Sequence, residues 1–137
     1  MITKKQIQDV LKQYPNLNYF GFGLFDERVR RRKGELNQEQ YDSELKESQQ
    51  QLFDNTEEID HVVNLLQGVE KIKTFNERHS SYSLKHWAEK TTPKQYISNG
   101  SFIVGAILAG FNLKIDQPNA YFNISEKSLK QLAKEHE

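Results

Sequence analysis

Residues 80–125 read SSYSLKHWAEKTTPKQYISNGSFIVGAILAGFNLKIDQPNAYFNIS. This segment contains the single tryptophan of the chain, Trp87, and the longest apolar run, residues 102–111. Elsewhere the chain is polar, with apolar residues at wider intervals. The segment is therefore predicted to anchor the fold.

The apolar run predicts a central, buried helix. Residues 102–109 are apolar nearly all round a helix, which is typical of a core element. Ser98 or Asn99 is suited to cap its beginning, and Gly110 can adopt the left-handed conformation that ends helices. Gly105 would allow a neighbouring helix to approach closely.

Helical periodicity and capping residues predict five more helices. They are expected at residues 4–14, from Asn37, after Asn55 or Thr56, at residues 84–90 and after Ser125. The second helix has only a thin apolar stripe, which favours an exposed position. The second and third helices are expected to form an antiparallel hairpin.

A small β element is expected beside the helices. Phe20, Phe22 and Leu24 alternate with glycines, which suits a short strand, and residues 19–29 are expected to pair with residues 113–122. At 137 residues, the chain is predicted to be mainly α: a compact single-domain bundle of five to six helices around the central apolar helix, over residues 1–137.

Composition limits the cellular compartment and the kinds of catalytic or metal site that we expect. The chain has no cysteine, which excludes disulfides, thiolate catalysis and cysteine-ligated zinc, and suits a reducing cytoplasm. The N-terminus shows no signal-peptide core, and the longest apolar run is short of the roughly 20 residues that a membrane span needs. We expect a cytoplasmic protein with no membrane partner.

The zero net charge conceals a division along the sequence. Residues 1–33 carry eight bases and three acids, residues 34–70 carry one base and ten acids, and residues 71–137 carry ten bases and six acids. The acidic middle either pairs with the basic flanks or presents a negative face to a basic partner.

The acidic middle supplies the first candidate surface. Its carboxylates on the second and third helices could mimic a row of phosphates for a basic protein groove, or could simply be solvated. The partner-binding residues assigned here are Glu44, Glu47, Glu57, Glu58 and Asp60.

A basic run supplies the second candidate surface. Guanidinium groups bind phosphates, and aromatic residues at 19–25 could stack on bases, so this run is an alternative nucleic-acid site. The opposing interpretation is a basic edge that neutralises the acidic helix. The run consists of Arg28, Arg30, Arg31, Arg32 and Lys33.

A third candidate is a histidine cluster. His86 and Glu89 share a helical face, and His79 and Tyr82 precede them, so a metal-dependent enzyme is a further alternative. The HExxH spacing of zinc helices is missing, and an ordinary surface pair is the favoured interpretation of His86 and Glu89. No catalytic residue, metal ligand or cofactor is assigned, and binding is favoured over catalysis.

Two further motifs are weaker. Residues 98–101 could place backbone N–H groups of a helix N-terminus around an anion, although a cap and a close backbone contact explain the same residues. The helices around residues 91–95 resemble a helix-turn-helix in outline. The second of them, however, offers no polar side chains for base edges, so the pair is interpreted as core.

The pattern SYSLKH at residues 81–86, followed by YISNGSFIVGAILAGF at residues 96–111, resembles short proteins of phages and other mobile elements. The resemblance implies a small accessory or regulatory protein that interferes with host defence or regulates DNA. Together with the charge layout, it predicts a protein that binds a macromolecule through charged surfaces.

Overall fold

The computed structural model describes residues 1–24, 38–91 and 94–135. Within these ranges the protein is mainly α, with six helices and two small antiparallel sheets, which confirms the predicted fold class. The helices are α1 (Lys4–Gln13), α2 (Gln38–Asp54), α3 (Thr56–Leu66), α4 (Ser81–Glu89), α5 (Asn99–Leu108) and α6 (Glu126–Glu135). The strands are β1 (Leu17–Asn18), β2 (Gly21–Phe22), β3 (Leu113–Asp116) and β4 (Asn119–Phe122).

Helix α5 forms the centre of the structure, as predicted. Its first eight residues are buried, and it contacts α3, α4, α1, β2 and β4. Helices α5 and α3 approach closely at Gly105, where an added Cβ would lie 2.6 Å from Val62 Cγ1 of α3. Gly105 is therefore the residue that lets these two helices pack at short range.

The caps at Thr3 and Ser98 act as the sequence indicates, whereas Asn55, at the N-cap of α3, makes no side-chain capping hydrogen bond. The Thr3 side chain accepts a hydrogen bond from the Gln6 N–H, and the Gln6 side chain accepts one from the Thr3 N–H, so the predicted capping box is present. The Ser98 hydroxyl accepts from the Ser101 N–H at the start of α5, and Gly110 ends that helix with φ +92°. Asn37, the predicted start of α2, lies outside the described residues.

The predicted hairpin of α2 and α3 is wrong. Helix α2 packs against β1 and α1, whereas α3 packs against α5. The two helices are joined through Asn55 alone, but they serve different parts of the core. The buried residues of α2, Ser48 and Leu52, are too few to cover the apolar face of α3 as well.

The predicted pairing of residues 19–29 with residues 113–122 is not found among the described residues, and residues 25–29 lie outside them. The sheets are local hairpins: β1 pairs with β2, with Leu17 opposite Phe22, and β3 pairs with β4, with Leu113 opposite Phe122. The two hairpins meet where the Phe22 N–H donates to the Pro118 carbonyl at 2.9 Å. Gly21, with φ +120°, allows this approach because any side chain there would collide with the Pro118 carbonyl.

Helix α6 is attached at the surface. Leu129 is its one buried residue among those described, and the Ser128 hydroxyl accepts from the Glu70 N–H at 3.1 Å. No helix in the described ranges combines the length and apolar character required to cross a membrane.

Candidate functional site

Glu58 is buried, so its assignment to an exposed acidic face is wrong. Only 4% of the Glu58 surface is exposed to solvent. One carboxylate oxygen accepts from the Tyr19 hydroxyl at 2.8 Å, and the other accepts from the Ser98 N–H at 2.9 Å. Burial, followed by the bond to Glu58, raises the pKa of the Tyr19 phenol. Glu58 therefore links the turn between β1 and β2, helix α3 and the start of α5, which is a structural role.

Asp60 is also tied to the fold. Its side chain accepts a hydrogen bond from the Ile2 N–H at 2.7 Å, and the residue is half-buried. It anchors the segment before α1. Of the other acids assigned to partner binding, Glu47 and Glu57 are exposed, and Glu44 is half-buried.

The outer side of α2 carries a row of exposed carboxylates. Only Ser48 and Leu52 of its 17 residues are buried. At 3.6 residues per turn, four acids fall within an arc of about 140° on the side opposite these two residues. We call this row the α2 acidic face: Glu39, Asp42, Glu47 and Asp54, all exposed. Exposed Lys46 lies within the same arc, so four carboxylates and one ammonium leave the face negative.

A second group of polar side chains gathers on and beside α4. Lys85 is 5% exposed, and its ammonium lies 5.4 Å from the centre of the Tyr82 ring and 4.7 Å from that of the Tyr96 ring. Its Nζ also donates to Glu89 Oε2 at 3.4 Å. The charge is therefore held by two rings and one carboxylate. We call Tyr82, Lys85, His86, Glu89 and Tyr96 the tyrosine–lysine site.

The carboxylate of this site is fully engaged. Glu89 Oε1 lies 2.9 Å from His86 Nδ1, and Glu89 Oε2 accepts from the Ile97 N–H at 3.1 Å as well as from Lys85. The imidazole of His86 packs edge-on to Tyr82, with ring centres 4.7 Å apart. Burial, followed by the carboxylates of Glu89 and Glu58, raises the pKa of the Tyr96 phenol.

The histidine cluster predicted from sequence is only partly assembled. Tyr82, His86 and Glu89 come together, but His79 Nε2 lies 2.9 Å from Glu126 Oε1 of α6 and belongs to a different contact. Among the described residues, no group of three or more His, Asp or Glu side chains is arranged to hold a metal ion. The alternative of a metal site at His79, His86 and Glu89 is therefore wrong.

The start of α5 is closed to an anion. The Gly100 N–H donates to the Tyr19 carbonyl, the Ser101 N–H to the Ser98 hydroxyl, and the Phe102 N–H to the Ser98 carbonyl. The backbone of Asn18 and Tyr19 lies directly over Gly100, where a Cβ would collide with it. The close backbone contact expected of Gly100 is present, and the anion site is not.

The structure tests the interpretation of the helix-turn-helix outline but not the predicted site at the basic run. Helix α5 is the buried centre of the fold, so its interpretation as core is confirmed. The basic run, Arg28, Arg30, Arg31, Arg32 and Lys33, lies outside the described residues, and a nucleic-acid site there stays a prediction. Of its suggested aromatic partners, Tyr19 and Phe22 are buried, and Phe20 is exposed.

Two residues of the tyrosine–lysine site, Lys85 and Tyr96, were not identified from the sequence. Lys85 stands three residues after Tyr82 and four before Glu89, a spacing that places all three on one side of a helix and could have indicated the contact. Tyr96 lies beyond the end of α4, and its return to Lys85 depends on the course of residues 90–96. No local sequence pattern predicts the contact of Tyr96 with Lys85.

Comparisons with known proteins add no relative. No protein-family model, no curated protein and no solved structure matches the chain. Functional inference therefore depends on the geometry of the described residues.

Proposed function

We propose that this protein is a small accessory or regulatory protein that acts by binding a macromolecular partner, with the α2 acidic face as its principal contact surface. The single observation that carries the proposal is the row of four exposed carboxylates on the outer side of a helix that buries only two residues. The favoured partner is a protein with a basic groove.

The α2 acidic face is comparable in length to a short stretch of phosphate backbone. From Glu39 to Asp54 the helix rises about 22 Å, at 1.5 Å per residue. Successive phosphates on one DNA strand are about 3.4 Å apart along the axis, so this length corresponds to roughly six of them. Four carboxylates over that distance offer a sparser row of negative charge, which would attract a groove built for phosphates.

The side chains of the α2 acidic face contribute little to the stability of the fold. Asp42 and Asp54 each accept a hydrogen bond from a glutamine of the same helix, Gln38 at 2.8 Å and Gln50 at 3.1 Å. These contacts are exposed and local, and exposed polar pairs contribute little to stability. The surface can therefore be altered while the core stays intact.

The resemblance to proteins of phages and mobile elements suggests which partner to test. Host-defence proteins and DNA-processing proteins of the cytoplasm commonly present basic surfaces to nucleic acid, and the α2 acidic face would compete for such a surface. This supports a regulatory role by occupation rather than by catalysis.

A pair of variants with equal charge change tests the proposal. The first is E39Q/D42N/E47Q/D54N on the α2 acidic face. The control neutralises four exposed acids elsewhere: E70Q, E77Q, D116N and E135Q. A partner captured by the wild type should be lost by the first variant and kept by the control, and its affinity should fall as salt rises. Equal binding by both variants, or equal loss from both, would contradict the proposal.

A further inference from the structure

We propose that the tyrosine–lysine site binds single-stranded nucleic acid. This inference goes beyond the proposed function and is independent of it, because the site is on α4 and the loop before α5, not on α2. It is carried by two exposed aromatic rings, the buried cation between them and the charges that follow α4.

The two tyrosine rings are exposed yet held in place. Tyr82 is 53% exposed and Tyr96 is 59% exposed. Each ring also contacts the ammonium of Lys85, and Tyr82 packs against His86. Cation–π contact with a desolvated ammonium restrains a ring without covering its outer surface. The rings are therefore organised before any partner arrives, which lowers the entropic cost of binding.

The charges around the rings favour an anionic partner. The Glu89 carboxylate pairs with the Lys85 ammonium and also contacts His86 and the Ile97 N–H, so Lys85 and Glu89 together add no net charge to the site. The exposed lysines at positions 90 and 94 follow in the segment that carries Tyr96. A partner that stacked on the rings through an arginine guanidinium would meet this positive charge, whereas one that carries phosphates would be attracted.

A planar ring together with a phosphate is the chemistry of a nucleotide. Proteins that bind single strands combine basic side chains with aromatic side chains on which successive bases stack. A duplex keeps its base faces inside the stack, so it cannot use exposed tyrosine rings in this way. The site is therefore assigned to unpaired bases rather than to double-stranded DNA.

Fluorescence anisotropy with labelled single-stranded DNA and RNA oligonucleotides tests the assignment directly. We expect saturable binding that weakens as salt rises, and weaker binding to the duplex of the same sequence. Y82A and Y96A should each reduce affinity by at least about fivefold, the smallest loss expected for removing one stacked base contact. Y82F and Y96F keep the rings and should bind like the wild type.

Controls separate this site from the rest of the molecule. Thermal unfolding of each alanine variant shows whether the fold survives. If it does not, Y82L and Y96L, which keep apolar bulk but lack a flat ring, should show the same loss of affinity, and wild-type affinity in both would overturn the assignment. E39Q/D42N/E47Q/D54N should retain oligonucleotide binding, so failure of one proposal does not imply failure of the other. Absence of binding, wild-type affinity in both folded alanine variants, or displacement of the oligonucleotide by acidic peptide at equal charge concentration would overturn the assignment.

Discussion

Helices α2 and α5 lie at opposite extremes of burial within the same protein. Helix α5 has ten residues and buries eight, whereas α2 has 17 residues and buries two. The shorter helix therefore organises the core, and the longer one mainly contributes surface. Length alone does not identify the central element, because stabilisation follows the apolar area that a helix removes from water.

The largest expected effect is at the centre of α5. Phe102 is fully buried and packs edge-on to Phe122, with ring centres 6.1 Å apart. Phe102→Ala should lower the free energy of unfolding by about 3–5 kcal/mol, since it removes apolar contacts and leaves a cavity. Denaturant unfolding measures this loss. The matched change in α2, Leu45→Ala at a half-buried residue, should cost clearly less, and an equal cost would remove the contrast between the helices.

The next effect separates two neighbouring acids of α3. Glu58→Ala should lower the free energy of unfolding by about 1–3 kcal/mol, because the Ser98 N–H and the Tyr19 hydroxyl would lose their buried acceptor. Glu57 is exposed, and Glu57→Ala should change stability by less than about 0.5 kcal/mol. Chemical denaturation of the two single variants measures both losses in the free energy of unfolding. Similar losses would contradict the buried, hydrogen-bonded role of Glu58.

A smaller effect is expected where α5 meets α3. Gly105→Ala should destabilise the protein by about 1–2 kcal/mol, since the new Cβ would meet Val62 at its branch point rather than at a flexible end. Gly68 has no neighbouring atom within 4 Å of an added Cβ. Gly68→Ala should therefore be neutral or slightly stabilising, and a thermal melt of both variants compares a packed glycine with an open one.

The smallest predicted effect concerns the attachment of α6 in acid. Hydrogen bonding from Asn76, together with that from His79, lowers the pKa of Glu126. A carboxyl whose pKa is lower in the folded state stabilises that state above its unfolded pKa. This contribution is lost as pH falls through the folded pKa. The protection factors of the α6 amides, which remove the intrinsic pH dependence of exchange, should therefore fall on acidification below about pH 4, the ordinary range of a glutamate.

The matched variant for this prediction is Glu126→Gln. It should show lower protection factors in α6 at neutral pH and little further change in them on acidification. A wild-type helix whose protection factors did not respond to acid would show that Glu126 does not hold α6 in place.

The parts of the fold that were predictable depend on local rules. The central helix follows from an apolar run, and the caps at Thr3 and Ser98 follow from side-chain chemistry within a few residues. The strand pairing and the α2–α3 hairpin required knowledge of which elements meet, and that is decided by packing. The close approach at Gly105 was expected, but its partner Val62 and the close approach at Gly21 are specified by no periodicity.

The candidate sites show the same division. The outer face of α2 is readable from sequence because its acids recur on the side opposite Leu52. Glu58 was misassigned because it lies between exposed Glu57 and buried Ile59, where one step along a helix turns a side chain by about 100°. Its acceptance of hydrogen bonds from Tyr19 and Ser98, 39 and 40 residues away, has no local signature.

Native-state hydrogen exchange across α2 and α5 in one experiment tests the central contrast most directly. We expect amides of α5 to exchange only through global unfolding, and amides of α2 to exchange through smaller openings at lower free energy. Equal protection of the two helices, or faster exchange in α5, would show that the acidic helix belongs to the scaffold rather than to its surface.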